Sequence, residues 1–369
     1  MNIVFLKLYI TGEVNNKFYN SQEIGLAKAV TDIHLEHRVD IIMLSKNCTK
    51  EEVYSISDRI AVHVLPAKGF GHHGILDLSV LLKLKADLVH LLADNMLYAP
   101  NVIRYCRRNN IKCHLYIGTL YTDSSMWLKK AVNRILIGRN TMEYKTVPVY
   151  AKTPAVQSQC IGFGISAKLA PVGIGMEDTV LSVRSVQEVR EEYGLPIDKK
   201  VLLFVGRLEC YKHPVDAIKV LMDLDDDHHL LIVGKGALQS DIEQLIQRKD
   251  ISNKVTLLPS VPNAKMKDLF KACDYYVNFN PDEIYGMAIL EAMCHKCPVI
   301  AVKAPGPDFL IINGKSGYIC GSLADMCGII TMLDNDKGLA VAISDSARDR
   351  ILSDFVWDKV ADCFEDFLG

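Results

Sequence analysis

Two glutamates in the last third of this sequence stand eight positions apart around the predicted start of an apolar helix. The segment DEIYGMAILEAMC places Glu283 in the loop before that helix and Glu291 inside it. Because a helix rises about 1.5 Å per residue, the two lie within about 12 Å along the chain and one ligand can contact both. Between them, the first-turn amides of Gly286, Met287 and Ala288 lack intrahelical acceptors, which predicts a diphosphate site.

Two cations and a glycine turn follow apolar runs in the same half. Arg207 and Lys212 stand in VGRLECYKHP, directly after the run VLLFVG. Cations there predict binding of a pyrophosphate and its stabilisation as a leaving group, since its negative charge grows as a sugar departs. The turn Gly234-Lys235-Gly236 follows the next apolar run and predicts a close approach of a nucleotide to the backbone.

The elements that must position these residues are short apolar runs separated by amphipathic stretches, typical of parallel sheets covered by helices. Ligands bind beyond the carboxyl ends of such strands, so the loops after them are expected on one rim. There Glu283 is placed to contact a sugar and Glu291 a ribose. In the second half we predict strands at 201–206, 230–234, 255–258, 274–279 and 298–302.

The first half shows the same alternation, so the whole chain is predicted to be α/β. A polar stretch between the two sets of strands predicts a linker. The first-half strands are expected at 2–8, 39–44, 60–65, 87–91, 112–117, 146–150 and 167–171. The predicted domains are residues 1–175, a linker of 176–198, residues 199–354, and a final helix of 355–369 packed on the first domain.

Length and composition agree with two soluble domains. The 369 residues exceed one ordinary core, and 49% hydrophobic with 23% charged residues is close to the globular average. The 11 cysteines are scattered through apolar stretches, which favours reduced thiols over a disulfide framework. With no run of about 18 uncharged apolar residues and no typical leader, we predict a cytoplasmic protein.

Charge is distributed unevenly. Residues 1–175 hold 21 Lys and Arg against 13 Asp and Glu, and the remainder holds 21 against 31, so the halves carry +8 and −10. A basic first half favours an anionic acceptor or a peripheral contact with an anionic membrane face, and attraction between the halves explains it equally well. The basic amphipathic stretch 124–140 is typical either of such a membrane contact or of an ordinary outer helix.

Residues 201–320 resemble the donor half of family 4 retaining glycosyltransferases, relatives of glycogen synthase with the GT-B fold. The shared motifs are GRLECYK, VGKG, DEIYGMAILEAMCHKCPVIAV and APGPDFLIINGKSGYI. The first half is similar in layout only. The resemblance implies two Rossmann-like doubly wound domains facing a central cleft, with the final helix crossing back to the first domain.

The resemblance also implies a hexosyl transfer with retention, from a UDP-sugar rather than a GDP-sugar, to a glycan or glycolipid acceptor in cell-surface polysaccharide synthesis. It implies no metal, no other cofactor, no nucleic-acid partner and no protein nucleophile. Catalytic roles fall to Arg207 and Lys212 at the diphosphate and Glu283 at the sugar. The further donor contacts implied are Gly206, Gly234, Lys235, Val261, Tyr285, Gly286, Met287, Ala288 and Glu291.

Three departures from the family pattern keep alternatives open. This chain has Gly118 where many relatives carry a histidine, a lone Gly12 where a double glycine is usual, and Pro259 where glycine is common. A nucleotide-sugar epimerase or phosphorylase on the same fold, or a non-catalytic nucleotide-sugar-binding relative, are the rival interpretations. By layout the acceptor-side residues are Gly12, His72, His73, Asp94, Asn95 and Gly118.

Three further patterns imitate metal or redox sites. His72-His73 lacks a third ligand at a suitable spacing, and the C-x-x-C of Cys294 and Cys297 has no second pair. Asp223 and Asp225 imitate an acidic metal-binding triplet but precede a strand, at the edge of the sheet away from the predicted site. We interpret the histidine pair as part of a loop in the predicted cleft, the cysteine pair as structural and the two aspartates as a solvated turn, and we predict no metal site.

Overall fold

The computed structural model describes residues 1–11, 22–121 and 127–364, without the side chains of residues 127–130. The chain divides into two compact units, Met1–Gly173 with Trp357–Gly369, and Ile174–Val356. Within the described ranges, no helix has the length and apolar character needed to cross a membrane.

The first unit is built on a mostly parallel sheet. Its strands are β1 (Asn2–Thr11), β2 (Arg38–Ser45), β3 (Glu52–Ser57), β4 (Ile60–Pro66), β5 (Lys68–Phe70), β6 (His73–Ile75), β7 (Leu88–Leu92), β8 (Lys112–Ile117), β9 (Val149–Ala151) and β10 (Lys168–Leu169). Its helices are α1 (Gln22–Ile33), α2 (Ser79–Lys83), α3 (Ala99–Arg108), α4 (Trp127–Tyr144) and α5 (Pro154–Gly162).

The strand order is β10-β9-β8-β7-β1-β2-β4-β3, with β3 antiparallel to β4 and β6 antiparallel to β1. The order reverses at β1, because β2 and β4 lie on one side of it and β7 to β10 on the other. Such a reversal opens a crevice at the carboxyl ends of the strands.

All seven strands predicted for this half are present. The central ones are continuous apolar runs because both of their faces are buried, as at Ile3, Phe5 and Val89. Strands β3, β5 and β6 were not predicted, since their residues are mostly exposed and form no apolar run.

The second unit holds a fully parallel sheet. Its strands are β11 (Lys200–Val205), β12 (His228–Val233), β13 (Val255–Leu258), β14 (Tyr275–Asn278), β15 (Val299–Val302) and β16 (Tyr318–Cys320). Its helices are α6 (Val186–Tyr193), α7 (Pro214–Asp223), α8 (Gln239–Arg248), α9 (Asn263–Ala272), α10 (Met287–Cys294), α11 (Pro305–Leu310), α12 (Leu323–Asn335) and α13 (Lys337–Asp354).

The order β13-β12-β11-β14-β15-β16 reverses between β11 and β14. All five strands predicted for this half are present, and β16 is an additional short edge strand. Core residues from both faces of the sheet, such as Leu202 on one face and Leu203 and Leu231 on the other, are completely buried. This burial explains why these strands lack alternation between apolar and polar residues.

The predicted linker of residues 176–198 needs correction, because it contains α6 and lies within the second unit. Ser185 caps this helix by accepting from the Glu188 amide, and Glu188 accepts from the Ser185 amide in return. Arg190 is 6% exposed and binds Asp274 at 2.8 Å. The S-x-x-E pattern is a known helix start, which the high density of charges obscured.

The chain returns to the first unit at its C-terminal end. Helix α14 (Trp357–Ala361) packs against α1, with Val360 fully buried and Trp357 8% exposed. A final helix on the first domain was expected, and its described part begins at Trp357.

Candidate functional site

The glycine turn after β12 packs against the loop after β11. Gly206 donates its amide to Val233 O at 3.0 Å, and Leu208 donates to Lys235 O at 2.9 Å. A Cβ atom at Gly234 would lie 1.8 Å from Gly206 O. The glycine is therefore required for two protein loops to meet, and the approach of a nucleotide to this turn stays a prediction.

Lys212 and Glu283 form an ion pair where the second sheet reverses its strand order. Lys212 ends a short 3-10 turn after β11, and Glu283 lies in the loop after β14. Lys212 Nζ is 2.5 Å from Glu283 Oε2, and the side chains are 21% and 14% exposed. This is the place where open α/β sheets bind ligands.

Arg207 and Lys212 flank one aromatic ring. The Arg207 guanidinium carbon lies 5.3 Å, and Lys212 Nζ 5.5 Å, from the centre of the Tyr211 ring. Cations at this distance are attracted to the ring electrons. Arg207 itself is exposed. Tyr211 was not among the predicted site residues, although it stands between the two cations in GRLECYK.

The loop that carries Glu283 is held by two residues that the sequence analysis did not single out. Asn280 accepts the Asp282 amide on its side chain at 3.0 Å and donates to Glu283 Oε2 at 3.3 Å. Gly306 donates its amide to Glu283 O at 2.7 Å, and a Cβ there would lie 2.2 Å from Tyr285 O. The loop is thus held by Asn280 within it and by Gly306 of the neighbouring helix α11.

Helix α10 begins beside this loop. Gly286 precedes it with a φ of 92°, a left-handed conformation that favours glycine. Met287 and Ala288 form its first turn and are half-buried, and Glu291 lies one turn further along. The first-turn amides have no acceptor within the helix, which gives this end a partial positive charge.

Three other predicted donor residues occupy different positions near this edge. Tyr285 is 3% exposed and its ring packs 6.4 Å from that of Phe309, so it is part of the core. Lys235 is exposed in the turn after β12, and Val261 is half-buried in the loop after β13. These two lie on loops that leave the carboxyl ends of strands, as the ligand-binding edge requires.

In the first unit, Asp94 follows β7 and its Oδ1 accepts the amides of Gly118 at 2.6 Å and Thr119 at 3.1 Å. Its φ of 36° is uncommon for a residue other than glycine, and such strain is frequent at functional sites. Although the residue has exposed surface, protein packed around its carboxyl group raises the pKa of Asp94. The two amides, Lys152 and Lys7 oppose that rise.

Asn95 is buried and its polar atoms are engaged by helix α4. Its Nδ2 donates to Asn133 Oδ1 at 2.7 Å, and its Oδ1 accepts from Asn140 at 3.0 Å. The side chain positions the loop after β7 instead of facing a ligand, because these contacts use both ends of the amide. The predicted acceptor contact from Asn95 is therefore replaced by a structural role.

The two adjacent histidines form part of a hairpin and do not face the same partner. His72 is exposed and its ring stacks on Tyr9 at 4.9 Å. His73 accepts the Leu97 amide at 3.2 Å, and burial lowers the pKa of its imidazole. Gly12, the remaining acceptor-side prediction, lies outside the described residues.

The patterns that imitate redox or acidic metal sites have structural surroundings. Cys294 and Cys297 are buried, and burial raises the pKa of the Cys294 thiol to about 11. Asp225 accepts from His228 Nδ1 at 2.6 Å. Among the described residues, the group with metal-ligand spacing is His34, Glu36 and His37, which the sequence analysis did not consider.

The chain is similar to known proteins in part of its sequence and in its fold. Residues 185–349 match the family model for glycosyl transferases group 1. D-inositol 3-phosphate glycosyltransferase of Corynebacterium glutamicum is 25% identical over 166 residues, which are 42% of this chain and 40% of that protein. This chain spans about half the length of the curated relatives it matches.

Solved structures match the chain over its whole length. Sucrose-phosphate synthase from Thermosynechococcus elongatus has a TM-score of 0.76 and 16% identity, covering 100% of this chain and 98% of that one. Anabaena HepE in complex with UDP-glucose has a TM-score of 0.74 and 19% identity, covering 100% and 99%. The chain has the GT-B fold of two Rossmann-like domains, and its residues 185–349 are similar to the glycosyl transferases group 1 family.

Proposed function

We propose that this protein is a retaining glycosyltransferase that moves a hexose from a UDP-sugar, or less readily a GDP-sugar, to an acceptor hydroxyl. The observation that carries the proposal is the Lys212–Glu283 pair at the strand-order reversal of the second sheet. At this place a cation suited to a diphosphate is hydrogen-bonded directly to a carboxylate suited to sugar hydroxyls. Arg207 and the first turn of α10 lie on the same edge.

In this proposal the two members of the ion pair exchange partners when the donor binds. A phosphate group is a stronger partner for an ammonium group than a single carboxylate is, because it carries more charge and more acceptor oxygens. The diphosphate therefore takes Lys212, together with Arg207 and the first-turn amides of α10. Glu283 is released to accept hydrogen bonds from the sugar, and Glu291 accepts from the ribose hydroxyls.

Retention without a protein nucleophile requires the donor phosphate to take part in the reaction. The bond between the anomeric carbon and the phosphate oxygen breaks while the acceptor oxygen attacks from the same face. The acceptor proton passes to the departing phosphate oxygen. Arg207 and Lys212 stabilise the negative charge that develops there, so we expect the reaction to need no metal.

The UDP preference is supported by the likeness in fold to HepE, whose structure contains UDP-glucose. The family model matches residues 185–349, which are in the donor half, and the curated relatives are each matched over about half of their length. Their acceptors are therefore not carried over to this chain.

For the acceptor we propose Asp94, at the strand-order reversal of the first sheet. A Cβ at Gly118 would lie 3.2 Å from Asp94 Oδ1, so the carboxylate stands beside the position where many relatives have a histidine. There it can orient the acceptor hydroxyl. Lys7, which is paired with Glu23, and Lys152 both act on this carboxyl group, and together with the net charge of +8 on residues 1–175 they favour an anionic acceptor.

A glycan or glycolipid acceptor in cell-surface polysaccharide synthesis fits this charge, with the enzyme at the cytoplasmic membrane face. Helix α4 supports a peripheral contact, because Val132, Ile135 and Met142 are exposed on it together with Arg134. Apolar and basic side chains on one exposed helix are typical of interfacial binding.

The test is nucleotide binding and turnover without metal. We expect UDP, and GDP to a smaller extent, to raise the melting temperature in the presence of EDTA, since a ligand at 100 times its Kd stabilises by about 2.7 kcal/mol. Lys212→Ala should abolish most of this shift. No shift with any nucleoside diphosphate would contradict the proposed donor site.

Product analysis then separates the rival activities. A retaining transferase moves the sugar of the donor to the acceptor, or slowly to water. An α-linked donor should then give an α-linked product, which proton coupling at the anomeric carbon measures. Release of inorganic phosphate would favour a phosphorylase. Formation of an isomerised nucleotide sugar would favour an epimerase. Binding without any turnover across a donor panel would favour a non-catalytic relative.

A further inference from the structure

We propose that His34, Glu36 and His37 form a binding site for a transition-metal ion, with Zn²⁺ as the best-fitting ion. The site is independent of the sugar-transfer site, because its residues precede β2. It therefore lies at the amino edge of the first sheet, whereas Asp94 lies at the carboxyl edge.

The donor atoms are already close together. His37 Nδ1 lies 3.2 Å and His34 Nδ1 3.9 Å from Glu36 Oε1, and one donor atom from each residue lies within 4.8 Å of the other two. Tetrahedral Zn²⁺ with bonds of about 2.0–2.1 Å separates its ligand atoms by about 3.3 Å. Small side-chain rotations therefore suffice to enclose an ion.

The ligand set indicates the class of metal. Two imidazoles and one carboxylate suit Zn²⁺, Co²⁺, Ni²⁺ or Cu²⁺, whereas Mg²⁺ and Ca²⁺ prefer oxygen ligands alone. Three protein ligands leave a fourth position for water. The Met1 amino group lies 3.3 Å from His37 Nδ1, so a bound metal would compete with that contact.

The turn that carries the ligands is held in place by hydrogen bonds to its backbone, from within the turn and from the Arg59 side chain. The His34 amide donates to Val30 O at 3.0 Å, and the His37 amide donates to His34 O at 3.0 Å. Arg59 Nη1 donates to Leu35 O at 3.3 Å and also to the carbonyl of Thr31. Ligands on a preorganised turn lose less conformational entropy on binding, so binding of a metal ion is more favourable.

The two imidazole rings already face each other as a pair. Their centroids are 4.8 Å apart with an angle of 22° between the planes, and both present Nδ1 toward Glu36. His37 is 5% exposed, whereas Glu36 is open to solvent. A metal ion can thus enter from the solvent side and join the end of α1 to the start of β2.

Titration calorimetry with ZnCl₂ on protein free of any histidine tag tests the site. We expect one equivalent to bind and to raise the melting temperature of the wild type. Co²⁺ should give the visible absorption of a tetrahedral complex. Glu36→Gln and His34→Ala should each weaken Zn²⁺ binding by at least about tenfold, or 1.4 kcal/mol.

His72→Ala is the matched control, because His72 is an exposed histidine beside another histidine elsewhere in the same unit. It should bind Zn²⁺ with wild-type affinity. The melting temperature of each metal-free variant establishes that it is folded. Absence of Zn²⁺ binding to the wild type, unchanged affinity in both ligand variants, or loss of binding in His72→Ala would each overturn the proposal.

Discussion

The carboxyl edge of the second sheet carries its candidate chemistry on contiguous motifs, whereas that of the first sheet carries it on residues brought together from separate strands. Both sheets reverse their strand order, the second between β11 and β14 and the first at β1. In the second unit GRLECYK and DEIYGMAILEAMC each supply several neighbouring groups. In the first unit, Asp94 depends on amides 24 and 25 positions away.

This difference explains why a donor half can be identified from sequence and an acceptor half cannot. A diphosphate is a constant ligand that cations and helix amides bind in one recurring way. Acceptors vary, and the residues that contact them lie on loops positioned by the rigid sheet. The first two of the following three predictions test whether the two edges have the separate roles proposed, and the third tests the strand that leads to Asp94.

The largest effect is expected from the donor edge. Arg207→Ala and Lys212→Ala should each lower kcat by about 10²-fold, because each removes a preorganised cation from the leaving phosphate. Glu283→Gln should also depress kcat, since it misplaces the sugar while leaving the diphosphate contacts intact. Steady-state kinetics with both substrates saturating measures these changes.

Lys219→Ala is the control, because Lys219 is a lysine in the next helix, 58% exposed and paired with Asp216. It should keep wild-type kcat. Wild-type rates in both cation variants would remove Arg207 and Lys212 from the site. If Glu283→Gln melts earlier yet keeps normal kcat in the cold, Glu283 serves the loop structure and not the reaction.

An intermediate effect should separate the two edges by substrate. Asp94→Asn should raise the acceptor KM by roughly 10- to 100-fold without changing the donor KM, because a hydrogen bond to a charged group contributes about 1.5–3 kcal/mol. Glu291→Ala should raise the donor KM and leave the acceptor KM unchanged. The two variants should therefore show opposite patterns in a two-substrate kinetic analysis.

Asparagine keeps an oxygen able to accept the amides of Gly118 and Thr119, so Asp94→Asn preserves the local backbone contacts. Its UDP-induced melting shift should equal that of the wild type. A change in donor KM as large as the change in acceptor KM would contradict the division of roles. A lower melting temperature with normal kinetics would make Asp94 a structural residue.

The smallest effect concerns the strand that leads to Asp94. His90 in β7 is 2% exposed, and its Nδ1 lies 2.6 Å from His114 Nε2. Burial lowers the pKa of His90 well below 6.5. Below pH 6.5 the unfolded chain binds a proton at His90, whereas the folded protein keeps this histidine neutral. The contribution of His90 to the free energy of unfolding is therefore complete above pH 6.5 and is lost as the pH falls.

Below that pH the loss approaches about 1.4 kcal/mol per pH unit. His63 acts in the opposite sense, since a hydrogen bond to Asp40 raises its pKa and its stabilisation is lost at higher pH. The readout is therefore the difference in unfolding free energy between the wild type and His90→Leu, measured by urea denaturation from pH 8 to pH 5. A difference that does not change with pH would contradict the assignment to His90.

The sequence by itself determined the α/β class, the apolar strands and the contiguous donor motifs, because those depend on residues close together in the chain. It did not predict exposed strands such as β5, because their residues form no apolar run. Helix α6 was missed although its S-x-x-E start stands in the sequence, because the charges around it are also typical of a linker.

Only the tertiary structure decided which distant residues meet. Lys212 pairs with a glutamate 71 positions away because β11 and β14 are neighbours at the reversal of strand order. Gly234 is required by the carbonyl of Gly206, which the sequence analysis did not foresee, and Asn95 serves α4 rather than an acceptor. Such contacts depend on strand order and on the path of the backbone between strands, which no local pattern of residue types encodes.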